Sequence, residues 1–371
     1  MIIHGDVAFI ILATVLVFIM TPGLAFFYGG LVERKNALTI MFQVFISIGI
    51  VTLLWIFGGF SLAFGDDIGG IIGNPFQYFG FKDITFMINL NYSNNIPFLM
   101  FFMYQLMFAI ITAPLMTGAY ANRLTISGWI KILIIWMILI YFPVAHWVWG
   151  GGFLSKLGFV DFAGGAVIHI TSGFGCLGGI YVLGPRKYKN EHGPFNLGLV
   201  SIGAGLLLFG WFGFNAGGTL TAAETAAIVF TNTAVAGLAT ITPASGYVTP
   251  LSSVLIGAIA AIVCFFCVEY ERKKWDDALD VWGVHGMGGF IGTLLVGVLA
   301  DPRVNGISAG LNQFLIQLLG CGILIVYSIL VTYLIFKVVD SIKSIKVSEE
   351  TQLKGLDQVF FKENYETKPD Q

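Results

Sequence analysis

Long runs of apolar residues alternate with short polar loops along most of the chain. A membrane-spanning helix needs about 20 mostly apolar residues, and nine runs are long enough. They cover residues 6–32, 37–64, 98–121, 126–149, 164–184, 195–214, 251–268, 281–299 and 311–336. The pattern therefore predicts an all-α integral membrane protein, with a membrane domain at 1–336 and a polar, charged tail at 337–371.

Lysine and arginine predict the orientation of these helices, because cytoplasmic loops retain them. Arg34 and Lys35 follow the first run, and three cations at 272–274 follow the seventh. The loop at 65–97 is acidic by comparison. We therefore expect a multi-pass protein of the cell membrane with its N-terminus outside and its tail in the cytoplasm.

A further apolar segment, 221–248, breaks the alternation. The charge pattern requires the chain to be outside both before and after this segment. At about 1.5 Å per residue, however, the segment is too short to cross the membrane twice. Either it is re-entrant, or membrane-spanning material has been lost here. Gly237, Pro243 and Gly246 can interrupt a helix, which is tolerated at membrane depth where protein or a cavity covers the break.

The composition agrees with a membrane protein and argues against several other classes. Hydrophobic residues make up 57% of the chain and charged residues 11%, and the mean hydropathy is +0.85. A net charge of −2 provides no basic field for nucleic acid. The four cysteines lie in apolar runs, where we expect small buried side chains rather than metal ligands. We therefore predict no metal and no cofactor.

Two histidines lie in the middle of apolar runs, where an ionisable group is costly and normally faces a bundle interior or a water path. His169 follows Asp161 in DFAGGAVIHI, and His285 follows Asp280 in DVWGVHG. The two runs cross the membrane in opposite directions, which suggests inverted repeats with a site between them, as in many transporters. The alternatives are a helix–helix hydrogen bond for each histidine and, less favoured, a haem held by both.

Several aromatic residues lie toward the predicted outer ends of the helices. Tyr104 and Phe108 are four residues apart and so share one helix face. Trp149 and Phe214 lie near the outer ends of their own runs. Ring faces of this kind can bind a cation with about 0.5–2 kcal/mol per contact. The alternative is an aromatic belt at the bilayer interface.

With these residues the sequence resembles the ammonium transporter (Amt/Mep/Rh) family, especially its archaeal and bacterial members. The resemblance covers most of the chain and rests on PGLAFFYGGLVERKN, HWVWGGGFL, DFAGGAVIHI, WFGFNAGG, TPASGY and ALDVWGVHG taken together. It implies eleven transmembrane helices, a homotrimer in the lipid bilayer, and a narrow apolar pore in each subunit. It implies a transporter and not an enzyme. The expected substrate is ammonium or ammonia, with methylammonium as a further candidate, in nitrogen uptake.

The resemblance assigns roles to residues along the pore. His169 and His285 resemble the paired pore histidines of the family. Phe108 and Phe214 resemble the stacked pair that closes the outer mouth. The resemblance thus places two histidines in the pore and two rings at its outer mouth.

The outer recruitment site is assigned in the same way. Trp149 and Tyr104 resemble its aromatic wall, and Asp161 resembles the buried carboxylate below it. Because Asp161 lies near the start of a helix, we expect it to cap backbone N–H groups rather than to touch the ion. The family serine that follows NAG is replaced by Gly218. Either Thr219 substitutes for it or the site is weaker.

The tail and the segment 221–248 carry the remaining family features. Gly355, Leu356 and Asp357 resemble the tail element through which a PII-type signalling protein acts at the cytoplasmic face. Family members carry two full helices between the NAGG turn and TPASGY. Here ETAAIVFTNTAVAGLATITPASGYV joins the start of one to the end of the next. The chain is thus shortened where its charge pattern also breaks, which leaves a gap or a repacked wall in the bundle.

The expected function is selective ammonium transport. A bare ion costs tens of kcal/mol to move into an apolar medium, which a few aromatic contacts cannot offset. Ammonium can lose a proton, and potassium cannot. The hypothesis is that the outer site holds the ion, neutral ammonia passes the pore, and the two imidazoles relay the proton. The alternatives are an ammonium sensor that signals through its tail and a transport-deficient deletion variant.

Overall fold

The computed structural model describes residues 1–188 and 193–363, and these residues form a mainly helical membrane bundle. The last residues of the predicted tail, 364–371, lie outside the described residues. Within the described ranges, nine segments are long and apolar enough to cross a membrane. They are His4–Leu31, Arg34–Phe64, Phe98–Thr117, Ile126–Leu157, Gly165–Leu183, Leu197–Thr219, Pro250–Lys274, Trp282–Leu299 and Leu311–Ile342. The prediction of nine apolar runs is therefore confirmed.

These segments contain most of the α-helices, which we number in chain order. The first nine are α1 (His4–Leu31), α2 (Ala37–Leu54), α3 (Phe60–Phe64), α4 (Phe98–Thr112), α5 (Ile126–Trp136), α6 (Phe142–Val148), α7 (Phe153–Leu157), α8 (Thr171–Leu183) and α9 (Leu197–Ala216). The others are α10 (Glu224–Val235), α11 (Leu238–Ile241), α12 (Pro250–Lys274), α13 (Met287–Leu299), α14 (Pro302–Asn305), α15 (Leu311–Ile342), α16 (Glu349–Lys354) and α17 (Leu356–Phe361).

Shorter elements connect or interrupt these helices. Four 3₁₀ turns are formed by Arg34–Asn36, Phe79–Phe81, Ala113–Thr117 and Gly217–Thr219, and four π-helical segments by Trp55–Gly59, Met137–Tyr141, Gly165–Ile170 and Trp282–Gly286. Two short antiparallel strands, β1 (Asp67–Ile68) and β2 (Ile72–Gly73), pair after α3.

The bundle has two ends, which hydrogen bonds between distant loops define. At the N end, where α1 begins, Asp6 accepts hydrogen bonds from Asn95 and from the Thr221 hydroxyl. At the tail end, the backbone N–H of Val347 donates to the carbonyl of Arg123 at 2.9 Å. Successive membrane helices run alternately between these ends.

The segment 221–248 is a re-entrant hairpin. It starts at the N end, where Thr221 contacts Asp6, and α10 runs inward from there. The chain turns at 236–237 and returns through α11. At the end of the hairpin, the carbonyl of Tyr247 accepts a hydrogen bond from Asp301, in the loop between α13 and α15. The two ends of the segment therefore lie on one side of the membrane, as the charge pattern required.

Buried polar side chains hold this hairpin together. Asn232 on α10 donates hydrogen bonds of 2.8 Å to the carbonyls of Ser245 and Val248, which lie on the returning arm of the hairpin after α11. Asn215 on α9 donates to the Thr233 hydroxyl at 2.9 Å. Backbone groups at membrane depth have no water to bond, so each needs a protein partner. Asn232 supplies that partner where the returning chain is not helical.

Replacing Asn232 by Ala tests this account. The substitution leaves two buried carbonyls without their donor, so we expect a loss of about 1–3 kcal/mol in the free energy of unfolding. The measurement is denaturant unfolding of the protein in detergent micelles. Thr231→Ala is the matched control, because Thr231 is the preceding, exposed residue of α10. Equal unfolding curves for N232A and the wild type would contradict the assignment.

Candidate functional site

The carboxylate of Asp161 organises the start of the helix that carries His169. Its Oδ1 accepts hydrogen bonds from the N–H groups of Gly164 (3.0 Å) and Gly165 (2.8 Å). Its Oδ2 accepts from Ala166 (2.8 Å) and Val167 (2.9 Å). A carboxylate offers about four lone-pair positions. All four are thus taken by the backbone, and the negative charge faces the positive end of the helix.

A second aspartate occupies the equivalent place before His285. Asp277 lies eight residues before His285, as Asp161 lies eight residues before His169. Its Oδ2 accepts the N–H of Trp282 at 2.7 Å, at the start of the π-helical segment. The counterpart suggested by the sequence, Asp280, instead binds the Arg272 guanidinium at 2.7 Å.

Both histidines lie on π-helical segments, and glycines allow these segments to touch. A Cβ placed on Gly173 would lie 2.1 Å from the backbone nitrogen of Gly286. A Cβ on Gly289 would lie 2.4 Å from the carbonyl oxygen of Gly165. Real side chains do not fit at such distances, so only glycine permits this crossing. The close approach of the two backbones places the two imidazoles side by side.

The two imidazoles form a hydrogen-bonded pair. Nδ1 of His169 lies 3.2 Å from Nδ1 of His285, and the ring planes are inclined by 14°. One Nδ1 must donate and the other accept, so the pair shares one proton between these two atoms. The direct contact leaves no room for an iron porphyrin between the rings, which argues against the haem alternative. Among the described residues, the buried Nε2 of His169 has no hydrogen-bond partner.

A closed pair of aromatic rings lies next to His169. The rings of Phe108 and Phe214 have centroids 4.5 Å apart, and the Phe214 ring lies 6.2 Å from His169. Tyr104 holds this arrangement, because its hydroxyl donates to the carbonyls of Gly213 (3.1 Å) and Phe214 (2.8 Å). The structure therefore brings the four predicted pore residues together.

A cavity of about 340 Å³ lies on the N-end side of these rings. Trp149 lines it, with its ring 6.2 Å from Phe108 and its indole N–H donating to the carbonyl of Asp161 at 2.8 Å. Tyr104 and Gly218 also line it. The walls combine aromatic faces with a few polar groups, which is the chemistry that suits a small cation.

Sequence reasoning missed one polar residue of this cavity, Gln105. Its side chain lines the cavity, and among the described residues its buried Oε1 has no hydrogen-bond partner. Such an acceptor can bind a cation that carries N–H groups. The available signal was an isolated amide in the apolar run FLMFFMYQLMFAII.

Thr219 does not line this cavity. Its hydroxyl donates to the carbonyls of Ala216 (2.8 Å) and Thr221 (2.7 Å), which closes the turn after α9. The cavity wall at this point is Gly218. The turn thus uses the hydroxyl that sequence reasoning offered in place of the family serine.

The tail element docks on the start of α2. Asp357 is fully buried, and its carboxylate accepts the N–H groups of Leu38 (2.9 Å) and Thr39 (2.7 Å). The N–H of Leu356 donates to Asn36 at 2.9 Å, and Gly355 has φ +100°, which favours glycine. The tail therefore supplies the cap of a transmembrane helix.

Charged groups at the two ends of the bundle have shifted pKa values. Hydrogen bonds with His146 and Lys156 lower the pKa of Asp67 at the N end to about 2. At the tail end, burial by itself raises the pKa of Asp276, but the guanidinium groups of Arg186 and Arg123 hold this pKa below its ordinary value. Stability from such carboxylates is present at neutral pH and is lost as the pH falls through the lowered pKa.

Comparison with known proteins identifies the family. A model of the Ammonium Transporter Family matches residues 8–236 and 225–365. An ammonium transporter of Aquifex aeolicus is 44% identical over 94% of this chain and 90% of the relative. The chain belongs to the ammonium transporter family. The ammonium transporter Amt1 of Archaeoglobus fulgidus is 41% identical over 95% of this chain and 97% of that relative. The chain is thus related to transporters and not to enzymes.

Solved structures of this family have the same fold. Mep2 of Candida albicans superposes with a TM-score of 0.85 at 31% identity, covering 94% of this chain and 87% of Mep2. A protein described as a sensor Amt protein gives a TM-score of 0.85 at 29% identity, covering 96% of this chain and 98% of that one. The predicted class, an all-α membrane bundle of the ammonium transporter type, is therefore confirmed.

The comparisons also bear on the shortening around 221–248. The two parts of the family match overlap at 225–236, within the hairpin. The alignment with the Aquifex relative spans 386 positions, although this chain has only 371 residues. The relative therefore contains positions that this chain lacks. This agrees with nine membrane-crossing helices among the described residues where the family resemblance implies eleven.

Substitution of Asp161 tests its role at the helix start. Asp161→Ala leaves four buried N–H groups without an acceptor, so we expect a loss of about 2 kcal/mol or more in the free energy of unfolding. Asp161→Asn keeps one acceptor oxygen and should lose less. Both are measured by thermal unfolding in detergent. An Ala variant as stable as the wild type would show that the cap is dispensable.

Proposed function

We propose that this protein transports ammonium selectively across the cell membrane by recruiting the ion at the N-end cavity and passing neutral ammonia through the pore. The observation that carries the proposal is the line of contacts from Trp149 through Phe108 and Phe214 to the hydrogen-bonded pair His169 and His285. An apolar path with a proton-sharing pair in it suits a neutral molecule.

Recruitment rests on the aromatic cavity. The ring faces of Trp149 and Phe108 attract a cation, Tyr104 holds Phe214 in place, and Gln105 offers an amide oxygen to an N–H group. Ammonium benefits from both features. A potassium ion gains only the electrostatic attraction, because it has no hydrogen to donate.

Selectivity follows from what can pass the aromatic pair. The centroid distance of 4.5 Å between Phe108 and Phe214 leaves no room for a hydrated ion. A bare cation would lose its hydration at a cost of tens of kcal/mol. Ammonium avoids this cost when it leaves its proton behind, and the imidazole pair, with one donor and one acceptor, can relay that proton.

The shortened hairpin favours a second candidate function, in which the protein binds ammonium but does not conduct it. Thr240 on α11 lines the same cavity as His169 and His285, so the hairpin is part of the pore wall. A changed wall can stop conduction while ammonium still binds at the N end. The protein would then be a transport-deficient variant, or a sensor that signals through its tail. One structural relative is described as a sensor Amt protein.

Orientation and partners complete the proposal. The tail end carries Arg34, Arg123, Arg186 and the cations 272–274, so by the positive-inside rule it faces the cytoplasm and the N-terminus lies outside. The assembly is proposed to be a homotrimer, as the resemblance implies. The docked tail element at 355–357 is proposed to be the site through which a PII-type protein acts.

Transport currents in proteoliposomes test the main proposal. An ammonium jump should elicit a current and a potassium jump should not. His169→Ala should reduce the ammonium current about 100-fold or more, because it removes one partner of the proton relay. The matched control is Phe209→Ala on α9, whose side chain is 59% exposed toward lipid.

The outcomes distinguish the candidates. A current that survives in H169A with its selectivity over potassium intact would contradict the relay. Absence of an ammonium current from wild-type protein that binds ammonium and is trimeric by size would contradict transport. It would favour the sensor or the transport-deficient variant.

Limited proteolysis of vesicles tests the tail and the orientation together. Asp357→Ala removes the cap on α2 and should make the tail after Lys343 at least about tenfold more sensitive, since about 1.4 kcal/mol of docking energy is lost. Protease should reach the tail in inside-out vesicles only. Glu350→Ala, in the exposed helix α16, is the control. Cleavage in right-side-out vesicles would reverse the orientation, and unchanged cleavage of D357A would contradict the docking.

A further inference from the structure

A fully buried histidine, His146, lies in the last turn of α6 at the N end, and both of its ring nitrogens face oxygen atoms. Nδ1 lies 3.1 Å from the carbonyl oxygen of Ala63, and Nε2 lies 2.9 Å from Oδ1 of Asp67. A neutral imidazole has only one N–H, whereas the imidazolium has two. Because a carbonyl oxygen can only accept, the ring has to donate from both nitrogens unless the carboxyl group of Asp67 carries the second proton.

The surroundings of Asp67 keep that proton off the carboxyl group. Its carboxylate also accepts the N–H of Gly70 at 2.8 Å and forms an ion pair with the ammonium group of Lys156 on α7. Hydrogen bonds with His146 and Lys156 lower the pKa of Asp67 to about 2. The carboxylate is therefore ionised at neutral pH, and the geometry assigns both ring protons to His146.

The ends of two helices also favour a positive charge on this ring. His146 lies at the C-terminal end of α6, and Ala63 lies at the C-terminal end of α3. The last carbonyl groups of a helix have no partner within it and form the negative end of the helix dipole. The main elements packed against α6 carry two further titratable side chains besides Lys156, namely Tyr141 and His169, and neither is hydrogen-bonded to His146. The ionic partner of the ring is therefore the carboxylate on β1.

The backbone after α6 closes tightly around this ring. The carbonyl of His146 accepts the N–H groups of Gly150 (3.0 Å) and Gly152 (2.9 Å), which forms the turn that follows Trp149. A Cβ on Gly150 would lie 1.9 Å from the carbonyl oxygen of Ala63 and 2.6 Å from Nδ1 of His146, so only glycine allows the turn to come this close. The position of the ring and the path of the backbone at Trp149 are therefore coupled.

The hairpin of β1 and β2 is fastened to the chain on both sides of Trp149. Before this residue, the indole N–H of Trp147 donates to the carbonyl of Ile71 at 2.8 Å. After it, the N–H of Phe153 donates to the carbonyl of Gly70 at 3.0 Å. Trp149 itself lines the N-end cavity. The ion pair joins the same hairpin to α6, so it belongs to the scaffold that fixes this part of the cavity wall.

We infer that His146 is an imidazolium at neutral pH and that its ion pair with Asp67 positions Trp149 in the wall of the N-end cavity. His146 does not line that cavity, so it is a positioning residue and not a ligand of the ion. A neutral ring would leave an unprotonated nitrogen opposite an oxygen, and the β hairpin would lose one attachment to α6. The positioning role rests on the proposed recruitment of ammonium at Trp149, whereas the charge of His146 is independent of it.

Solid-state NMR of the full-length protein in proteoliposomes tests the charge. Isotope-labelled histidine gives different signals for an imidazolium and a neutral ring, and His146→Gln identifies the signal of this residue by its loss. We expect an imidazolium signal at neutral pH in the wild type and a neutral-ring signal in Asp67→Asn, which removes the ionic partner but keeps an acceptor oxygen. A neutral-ring signal for His146 in the wild type would overturn the inference. If H146Q fails to fold, the change from wild type to D67N identifies the signal, and identical spectra of these two proteins would overturn the inference as well.

Ammonium binding to the same proteins, measured by isothermal titration calorimetry, tests the positioning role. D67N should raise the dissociation constant about tenfold, which corresponds to about 1.4 kcal/mol, because the wall at Trp149 is held less firmly. The matched control is Asp66→Asn, which removes the neighbouring, exposed carboxylate of the same loop and should leave binding unchanged. Folded D67N that binds ammonium as tightly as the wild type would overturn the positioning role. Wild-type protein that binds no ammonium would contradict the proposed recruitment, and the spectrum would still decide the charge of His146.

Discussion

The crossing of two helix starts in the middle of the bundle is the constraint on which the rest of the structure depends. Gly173 meets Gly286 and Gly165 meets Gly289 at distances that exclude any side chain. This contact sets the 3.2 Å separation of the histidine Nδ1 atoms. Without it the imidazoles would be two separate buried polar groups, each costly in an apolar medium. With it their Nδ1 atoms satisfy each other.

The carboxylates of Asp161 and Asp277 support this crossing from opposite ends. Each accepts N–H groups at the start of the segment that carries a histidine, so the backbone is fixed before the crossing begins. The same logic recurs at the tail, where Asp357 caps α2. In a medium without water, a helix start needs an acceptor supplied by protein. At these positions aspartate therefore has a structural role, which is to accept the N–H groups of a helix start.

The hairpin at 221–248 shows how a membrane bundle tolerates lost material. The chain turns back at mid-depth, and Asn232 satisfies the carbonyls that a helix would otherwise have paired internally. The half of the bundle wall that lies nearer the N end is thereby kept, and so is the aromatic cavity. In the tail-end half, a cavity of about 450 Å³ lies beside the histidines. The shortening therefore leaves the surroundings of the aromatic cavity intact and changes those of the space beyond the histidine pair.

The apolar pattern by itself determined the number and place of the membrane helices, because the bilayer thickness imposes a minimum length on each one. The cationic loops showed that 221–248 begins and ends on the same side of the membrane. A segment that returns to its side must cross an even number of times or not at all, and this one is too short to cross twice. The residues His169, His285, Phe108, Phe214, Trp149 and Asp161 were identifiable as ionisable or aromatic residues in unusual surroundings.

Only the tertiary structure decided how these residues are used. It assigned Asp277 rather than Asp280 as the counterpart of Asp161, because which carboxylate reaches a helix start depends on the path of the loop. It committed the Thr219 hydroxyl to a turn and brought Gln105 into the cavity. It also placed a cavity of about 450 Å³ next to the histidines. Contacts between distant segments have no periodicity along the chain, so the packed bundle alone specifies them.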